Sequence, residues 1–142
     1  MRELITTAGL LAALASPASA RTERSTHHAF DKVWSTSVRH LAVDEGFKIV
    51  DRDAETGYVV FEVTDRGKVF AGALEVVKIE DDGRAAVRLV LHIADRPSYM
   101  EAAVLDRLLA KLRKEHGDPP PPPEKKPAPD KKKKPGKQKA SG

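Results

Sequence analysis

The chain has 142 residues, no cysteine and ten prolines, and its formal net charge is +4. The absence of cysteine excludes disulfides and thiolate metal sites, and it leads us to expect no lipid anchor of the lipoprotein kind. The charge is unevenly placed: residues 21–117 carry −1, whereas residues 118–142 carry +5. The basic character therefore belongs to the C-terminal end of the chain and not to the part that is able to fold.

Residues 1–20 are typical of a secretory signal peptide. Arg2 gives a weakly basic start, residues 4–15 form a short apolar run, and the small residues Ala18 and Ala20 flank Ser19 at a cleavage site. The apolar run is too short for a permanent span, which needs about 20 apolar residues. We expect an exported protein, periplasmic or secreted after cleavage near Ala20, with no transmembrane segment in the mature form. An N-terminal anchor that stays uncut is the alternative.

A polar lead-in at residues 21–26 precedes the first predicted helix. Ser25 or Thr26 is expected to cap its start, and Gly46 to follow its end. Apolar residues recur at steps of three and four, which places them on one stripe of the helix. We expect Trp34, the only tryptophan, to lie under a sheet as a core anchor. The stripe consists of Phe30, Val33, Trp34, Val38 and Leu41.

Four strands are predicted next, at residues 47–51, 58–64, 69–79 and 85–93. Each is rich in β-branched, aromatic or alternating apolar residues, and polar or glycine-containing turns separate them. In the third strand the alternation slips, and Gly72 lies inside the run. This combination predicts a bulge or a sharp bend at the glycine.

The last predicted element is a second helix, which ends at Gly117. Ser98, which directly follows Pro97, and Glu101 have the spacing of a capping box. The element order α-β-β-β-β-α predicts an α+β fold, a curved four-stranded antiparallel sheet with two helices on one face, in a single domain at residues 27–117. The apolar stripe of the second helix is Val104, Leu105, Leu108, Leu109 and Leu112.

Residues 118–142 are predicted to form a disordered, Pro/Lys-rich tail because, Pro apart, they contain no apolar residue larger than Ala. Pro119 to Pro123 form a stiff polyproline stretch. The lysines that follow are able to bind a polyanion through counterion release, and a merely solubilising tail is the alternative. No aromatic residue lies among them, so no sequence-specific nucleic-acid partner is expected. The candidate polyanion-binding residues are Lys125, Lys126, Lys131, Lys132, Lys133, Lys134, Lys137 and Lys139.

One acidic stretch has the spacing of a calcium loop. Asp51, Asp53, Glu55 and Glu62 fall at the first, third, fifth and twelfth positions. Thr56, however, stands at the sixth position, where that loop needs glycine. We interpret the stretch as a solvated hairpin turn and expect no metal there.

No catalytic or cofactor-binding group emerges from the remaining residues. The pairs His27/Asp31 and His40/Asp44 have the spacing of ordinary neighbours on a helix surface and are not interpreted as zinc ligands. Nucleophilic catalysis has no Cys and no Gly-x-Ser-x-Gly motif to use, and Ser37, the only serine expected to be buried, is interpreted as a packing residue. We predict a protein that is not an enzyme and that holds no cofactor or metal.

Three short patterns together resemble a known family. They are Phe30-x-x-Val33-Trp34, Gly46-Phe47-x-Ile49 and Asp53-x-x-x-Gly57. The chain from Thr26 to His116 is in this respect similar to the small BamC-like helix-grip domains of the Gram-negative envelope. The resemblance implies two helices packed on a curved antiparallel sheet and a non-enzymatic envelope module. The chain departs from that family in having no cysteine for lipidation, which leaves outer-membrane anchoring unsupported.

The element order is also close to that of double-stranded RNA-binding domains. In that family the second helix begins with a lysine-rich phosphate clamp. Here the corresponding turn, residues 98–101, contains no lysine, and we therefore reject this interpretation.

The sequence leads to two hypotheses of function. The first is an exported, non-catalytic domain that binds another envelope component, a protein or an anionic cell-wall or membrane surface, with the basic tail supplying electrostatic attachment. The second is a periplasmic module that binds a small ligand in a pocket between sheet and helices, with a solubilising tail. The second is favoured if Trp34, Phe61 and Leu105 leave the space under the sheet unfilled.

Overall fold

The computed structural model describes residues 21–124. It is an α+β fold, as predicted, with two helices and one antiparallel sheet whose strand order is β1-β5-β4-β3-β2. A π-helical turn, His40–Asp44, continues the first helix. Within the described range neither helix is both long and apolar enough to span a bilayer. The elements are β1 Thr22–Thr26, α1 Phe30–Arg39, β2 Lys48–Asp53, β3 Tyr58–Asp65, β4 Lys68–Asp81, β5 Arg84–Ile93 and α2 Ser98–His116.

The sheet has five strands, and the prediction of four was wrong. The additional strand is β1, which lies in the predicted polar lead-in and pairs with β5 from Thr22 opposite Leu91 to Thr26 opposite Val87. Its polar side chains find partners on α2: the Thr22 hydroxyl donates to a buried carboxylate, and Arg24 pairs with Asp106. β1 therefore packs on α2 through polar side chains. Its sequence lacks the alternation of apolar residues by which a strand is usually predicted.

A single hydrophobic core lies on one face of the sheet, and both helices contribute to it. Val59, Phe61 and Val63 share the core face of β3, as predicted. Burying each large aliphatic or aromatic side chain contributes roughly 1.5–3 kcal/mol, so this face dominates the stability of the fold. The core residues are Val33, Leu41, Val59, Phe61, Val63, Leu74, Val76, Val87, Leu89, Leu91, Ile93, Val104, Leu105, Leu108 and Leu112.

The predicted bulge at Gly72 is absent from the described sheet, because β4 pairs with β3 and β5 through this residue without a register shift. Gly72 lies opposite Phe61, and a Cβ on it would come within 2.2 Å of that ring. The glycine is therefore needed for close packing of the neighbouring aromatic side chain. The irregularity lies in β2 instead, between Ile49 and Asp51.

Neither predicted helix cap is formed. The N-cap of α1 is Ala29, since Ser25 and Thr26 belong to β1, and neither helix has a side-chain cap bond. Glu101 points at the sheet instead of back along its helix and is only 1% exposed. Its carboxylate accepts hydrogen bonds from the Ile93 N–H at 2.8 Å and the Thr22 hydroxyl at 2.7 Å. Glu101 thus joins α2 to β1 and β5.

Candidate functional site

The predicted polyanion-binding lysines lie outside the described residues, as does the predicted signal peptide at residues 1–20. The structure does describe where the tail begins. Arg84, in the first position of β5, donates a hydrogen bond to the carbonyl oxygen of Pro120. Pro122 and Pro123 line a small cleft with His27, Asp82 and Arg84. The polyproline stretch therefore lies beside the β4–β5 hairpin.

A groove between α1 and β2, which we call the α1–β2 groove, has a volume of about 610 Å³. Trp34 lies at its wall, half buried and packed against the core, so the prediction of a core anchor is confirmed only in part. The ionisable groups in the lining are both guanidinium groups, those of Arg39 and Arg52, and the lining includes no carboxylate. The groove is lined by Trp34, Ser35, Val38, Arg39, Ala42, Arg52 and Ala54.

The indole of Trp34 is held in place by its neighbours. Phe30, one helical turn earlier, stacks on it with ring centroids 6.3 Å apart and planes inclined by 10°. The ammonium group of Lys78 lies 4.6 Å from the centroid of the Phe30 ring, so a cation supports this pair from β4. Trp34 is therefore a fixed aromatic wall with part of its surface open to the groove.

A second polar group, the π-turn cluster, lies where the π-helical turn meets α2 and consists of His40, Asp44, Glu45, Arg107 and Lys111. His40 is 2% exposed, so the prediction that it is a helix-surface residue was wrong. Its Nδ1 lies 3.0 Å from Asp44 Oδ2, and its Nε2 lies 3.0 Å from Glu45 Oε1 but is not aligned for a hydrogen bond to it. The imidazole is thus held between two carboxylates.

Basic residues of α2 complete the π-turn cluster. Arg107 binds Glu45 through two hydrogen bonds, at 2.7 and 2.9 Å, and this contact raises the pKa of the guanidinium. Lys111 donates to Asp44, and the hydrogen bonds from Lys111 and then His40 lower the pKa of that carboxyl group. Each carboxylate in the cluster therefore has a cationic partner on α2.

The remaining predicted polar pairs take structural roles. Asp53 Oδ1 accepts the Glu55 N–H at 2.9 Å in the β2–β3 turn, which lowers the pKa of Asp53 and agrees with the interpretation of this stretch as a hairpin turn. His27 pairs with Asp81 at 3.3 Å and not with its predicted neighbour Asp31. Ser37 is fully buried, as predicted.

An apolar cavity of about 250 Å³ lies at the end of the sheet where α2 begins. Phe61 and Leu105 are fully buried and fill the centre of the fold, so the cavity is confined to this end. Arg96 lies at its rim and donates a hydrogen bond to the Asp65 carboxylate. The guanidinium carbon of Arg96 lies 4.7 Å from the centroid of the Phe70 ring. The lining combines Phe47, Val63, Ile93, Tyr99, Met100, Ala103 and Val104 with Glu45, Arg96 and Arg107.

The sequence did not reveal the α1–β2 groove. Arg39 and Arg52 belong to separate elements, and each looks like an ordinary solvated residue of its own helix or strand. The one available signal of the groove was Trp34 itself. Tryptophan carries a polar N–H group and is therefore common where a side chain is buried only in part.

Comparison with known proteins adds little. No protein family and no curated protein matches the sequence. Among solved structures, the chain is similar to Ara h 8.0201 with 10% identity and a TM-score of 0.32, over 67% of this chain and 97% of that chain. It is also similar to TTHA0849 from Thermus thermophilus with 13% identity and a TM-score of 0.28, over 67% of this chain and 86% of that chain. Likenesses of this strength carry no argument about function.

Proposed function

We propose that this protein is an exported, non-catalytic envelope domain that binds another envelope component and uses its basic tail to attach to an anionic polymer or membrane surface. The observation that carries the proposal is the separation of charge: −1 over residues 21–117 against +5 over residues 118–142. A near-neutral domain does not attract a polyanion over long range, whereas a tail with eight lysines does.

The start of the tail supports this role. The polyproline stretch Pro119–Pro123 leaves the domain beside the β4–β5 hairpin, where Arg84 contacts Pro120. The described prolines stay beside His27, Asp82 and Arg84, so the tail has a defined point of attachment on the domain. The proposed envelope location rests on the signal-like residues 1–20 and on the resemblance to helix-grip domains of the Gram-negative envelope.

Co-sedimentation with isolated cell envelopes over a salt series tests the proposal. The protein, residues 21–142, is compared with a variant in which the eight tail lysines are glutamine, and with a control in which the tail residues are shuffled. We expect salt-sensitive pelleting of the parent and of the shuffled control, because counterion release depends on charge and not on order. Equal pelleting of the glutamine variant, or no pelleting of any form, would overturn the role of the tail.

A small-ligand module is the second candidate, favoured by the apolar cavity at the start of α2. Ala103→Phe fills this cavity, and Ala110→Phe places the same side chain elsewhere on the exposed surface of α2. If the cavity binds ligands, anilinonaphthalene sulfonate should fluoresce with the parent and with Ala110→Phe, but not with Ala103→Phe. Equal fluorescence of all three proteins would contradict this function.

A further inference from the structure

The two arginines of the α1–β2 groove are poorly neutralised. The side chain of Arg39 is 63% exposed, and its salt bridge to Glu115 is 4.0 Å long, at the limit for an ion pair. Arg52 forms no salt bridge with any residue between 21 and 124. With no carboxylate in the lining, the groove has a local positive charge that an anionic ligand would complement.

The groove that these charges line also has an aromatic wall. Trp34 is fixed by its stack on Phe30, so a ligand that packs on the indole does not have to order it. The negative face of an indole attracts the slightly positive C–H bonds on the flat side of a sugar ring. Each guanidinium presents parallel N–H donors that match the two oxygens of a carboxylate.

The strand at the groove does not favour an extended peptide. β2 is an edge strand in the order β1-β5-β4-β3-β2, but it carries a register shift between Ile49 and Asp51. Its remaining positions are largely charged, with Lys48, Arg52 and Asp53 among them. Bulges and charges of this kind block the addition of a further strand.

We propose that the α1–β2 groove binds an acidic sugar unit of an envelope polymer, with Trp34 packing on the sugar ring and Arg39 and Arg52 binding its carboxylate. The site rests on the proposed function, because it would supply the recognition by the folded domain that the tail cannot supply. The tail then increases the local concentration of the same polymer at the groove.

Trp34 is the only tryptophan, so its fluorescence reports on the groove directly. The experiment titrates oligogalacturonate into residues 21–142 carrying the eight tail Lys→Gln substitutions, which removes binding by the tail. The methyl ester of the same sugar chain and oligoglutamate serve as neutral and peptide probes. Arg39→Gln/Arg52→Gln removes the groove charges, and Arg88→Gln/Arg113→Gln removes two exposed charges outside the groove.

We expect saturable quenching of Trp34 by oligogalacturonate, at least tenfold weaker binding by the groove variant, and unchanged binding by the control variant. Quenching by the methyl ester with the same affinity would overturn the role of the arginines. Equal or tighter binding of oligoglutamate would overturn the assignment to a sugar, and an unchanged emission would overturn the site. The tail is judged separately by co-sedimentation, so loss of quenching with salt-sensitive pelleting retained would refute the groove alone.

Discussion

The π-turn cluster and the α1–β2 groove, which meet where α1 passes into the π-helical turn, differ in how their charges are paired. In the π-turn cluster, two carboxylates and an imidazole meet Arg107 and Lys111 of α2, and His40 is buried among them. In the α1–β2 groove, Arg39 and Arg52 line the same wall as Trp34. Among residues 21–124, Arg39 has one long ion pair, to Glu115, and Arg52 has none. The difference indicates that carboxylates paired with cations mark a structural contact, whereas cations left without close partners mark a surface available for binding.

The largest effect should come from His40→Ala in the π-turn cluster. The substitution leaves a cavity where a buried imidazole was and removes its hydrogen bond to Asp44, so we expect a loss of about 2–4 kcal/mol in the free energy of unfolding. Urea denaturation measures it. Arg39→Ala is the matched control from the groove and should change stability by less than about 0.5 kcal/mol. Similar losses in both variants would refute the distinction.

Glu101→Gln extends the comparison to another paired carboxylate. The amide keeps the size of the side chain but has one acceptor oxygen where the carboxylate has two, so it cannot accept both from the Ile93 N–H, which binds Oε1, and from the Thr22 hydroxyl, which binds Oε2. We expect a loss of about 1–3 kcal/mol. Hydrogen exchange should show increased opening of β1 before that of β3, since β1 depends on this contact. Uniform loosening of the sheet would contradict the local role.

The pH dependence of stability should carry a contribution from Asp44. Its pKa in the folded protein lies below the ordinary value of 3.8 because Lys111 and His40 donate to it. The folded state therefore binds this proton less readily than the unfolded state, and the contribution is complete above the unfolded pKa and lost as pH falls through the folded pKa. We expect the free energy of unfolding of Asp44→Asn to fall less steeply with decreasing pH than that of the parent, as measured by denaturation at a series of acidic pH values. The same pH dependence in both proteins would contradict the pairing.

The smallest effect on stability should come from Arg52→Gln in the groove. Arg52 is exposed on β2 and has no salt bridge within the described residues, so we expect a change of less than about 0.5 kcal/mol in the free energy of unfolding. Thermal unfolding followed by circular dichroism measures it. A loss above about 1 kcal/mol would show that this arginine is a structural residue and that the groove resembles the π-turn cluster after all.

The sequence predicted the parts of the fold in which side-chain polarity follows the geometry of the element. Val59, Phe61 and Val63 alternate on β3, and Leu105 and Leu108 recur on α2, so their core faces were evident. The α+β class follows from these patterns alone.

The sequence could not show contacts in which polar groups satisfy one another across the chain. β1 has no apolar alternation, and it is held by polar contacts that Thr22 and Arg24 make with α2. Glu101 has the spacing of a capping residue, but its preferred partners come from two distant strands. The groove arginines likewise become neighbours only in the folded chain. Such pairings depend on tertiary structure and leave no local periodicity.

The pairing of β1 with β5 has a consequence for processing of the chain. β1, the first strand in the chain, pairs with β5, the last one, so the sheet is complete only when nearly the whole domain is available. Without β1, the side of β5 that does not pair with β4 would be an open edge. A cut after Ala20, where the sequence predicts it, keeps Thr22 and its bond to Glu101. A protease that removed the segment up to Thr26 would strip one edge from the sheet. The position of such a cut would therefore determine whether the polar strand β1 or the apolar strand β5 forms this edge of the sheet.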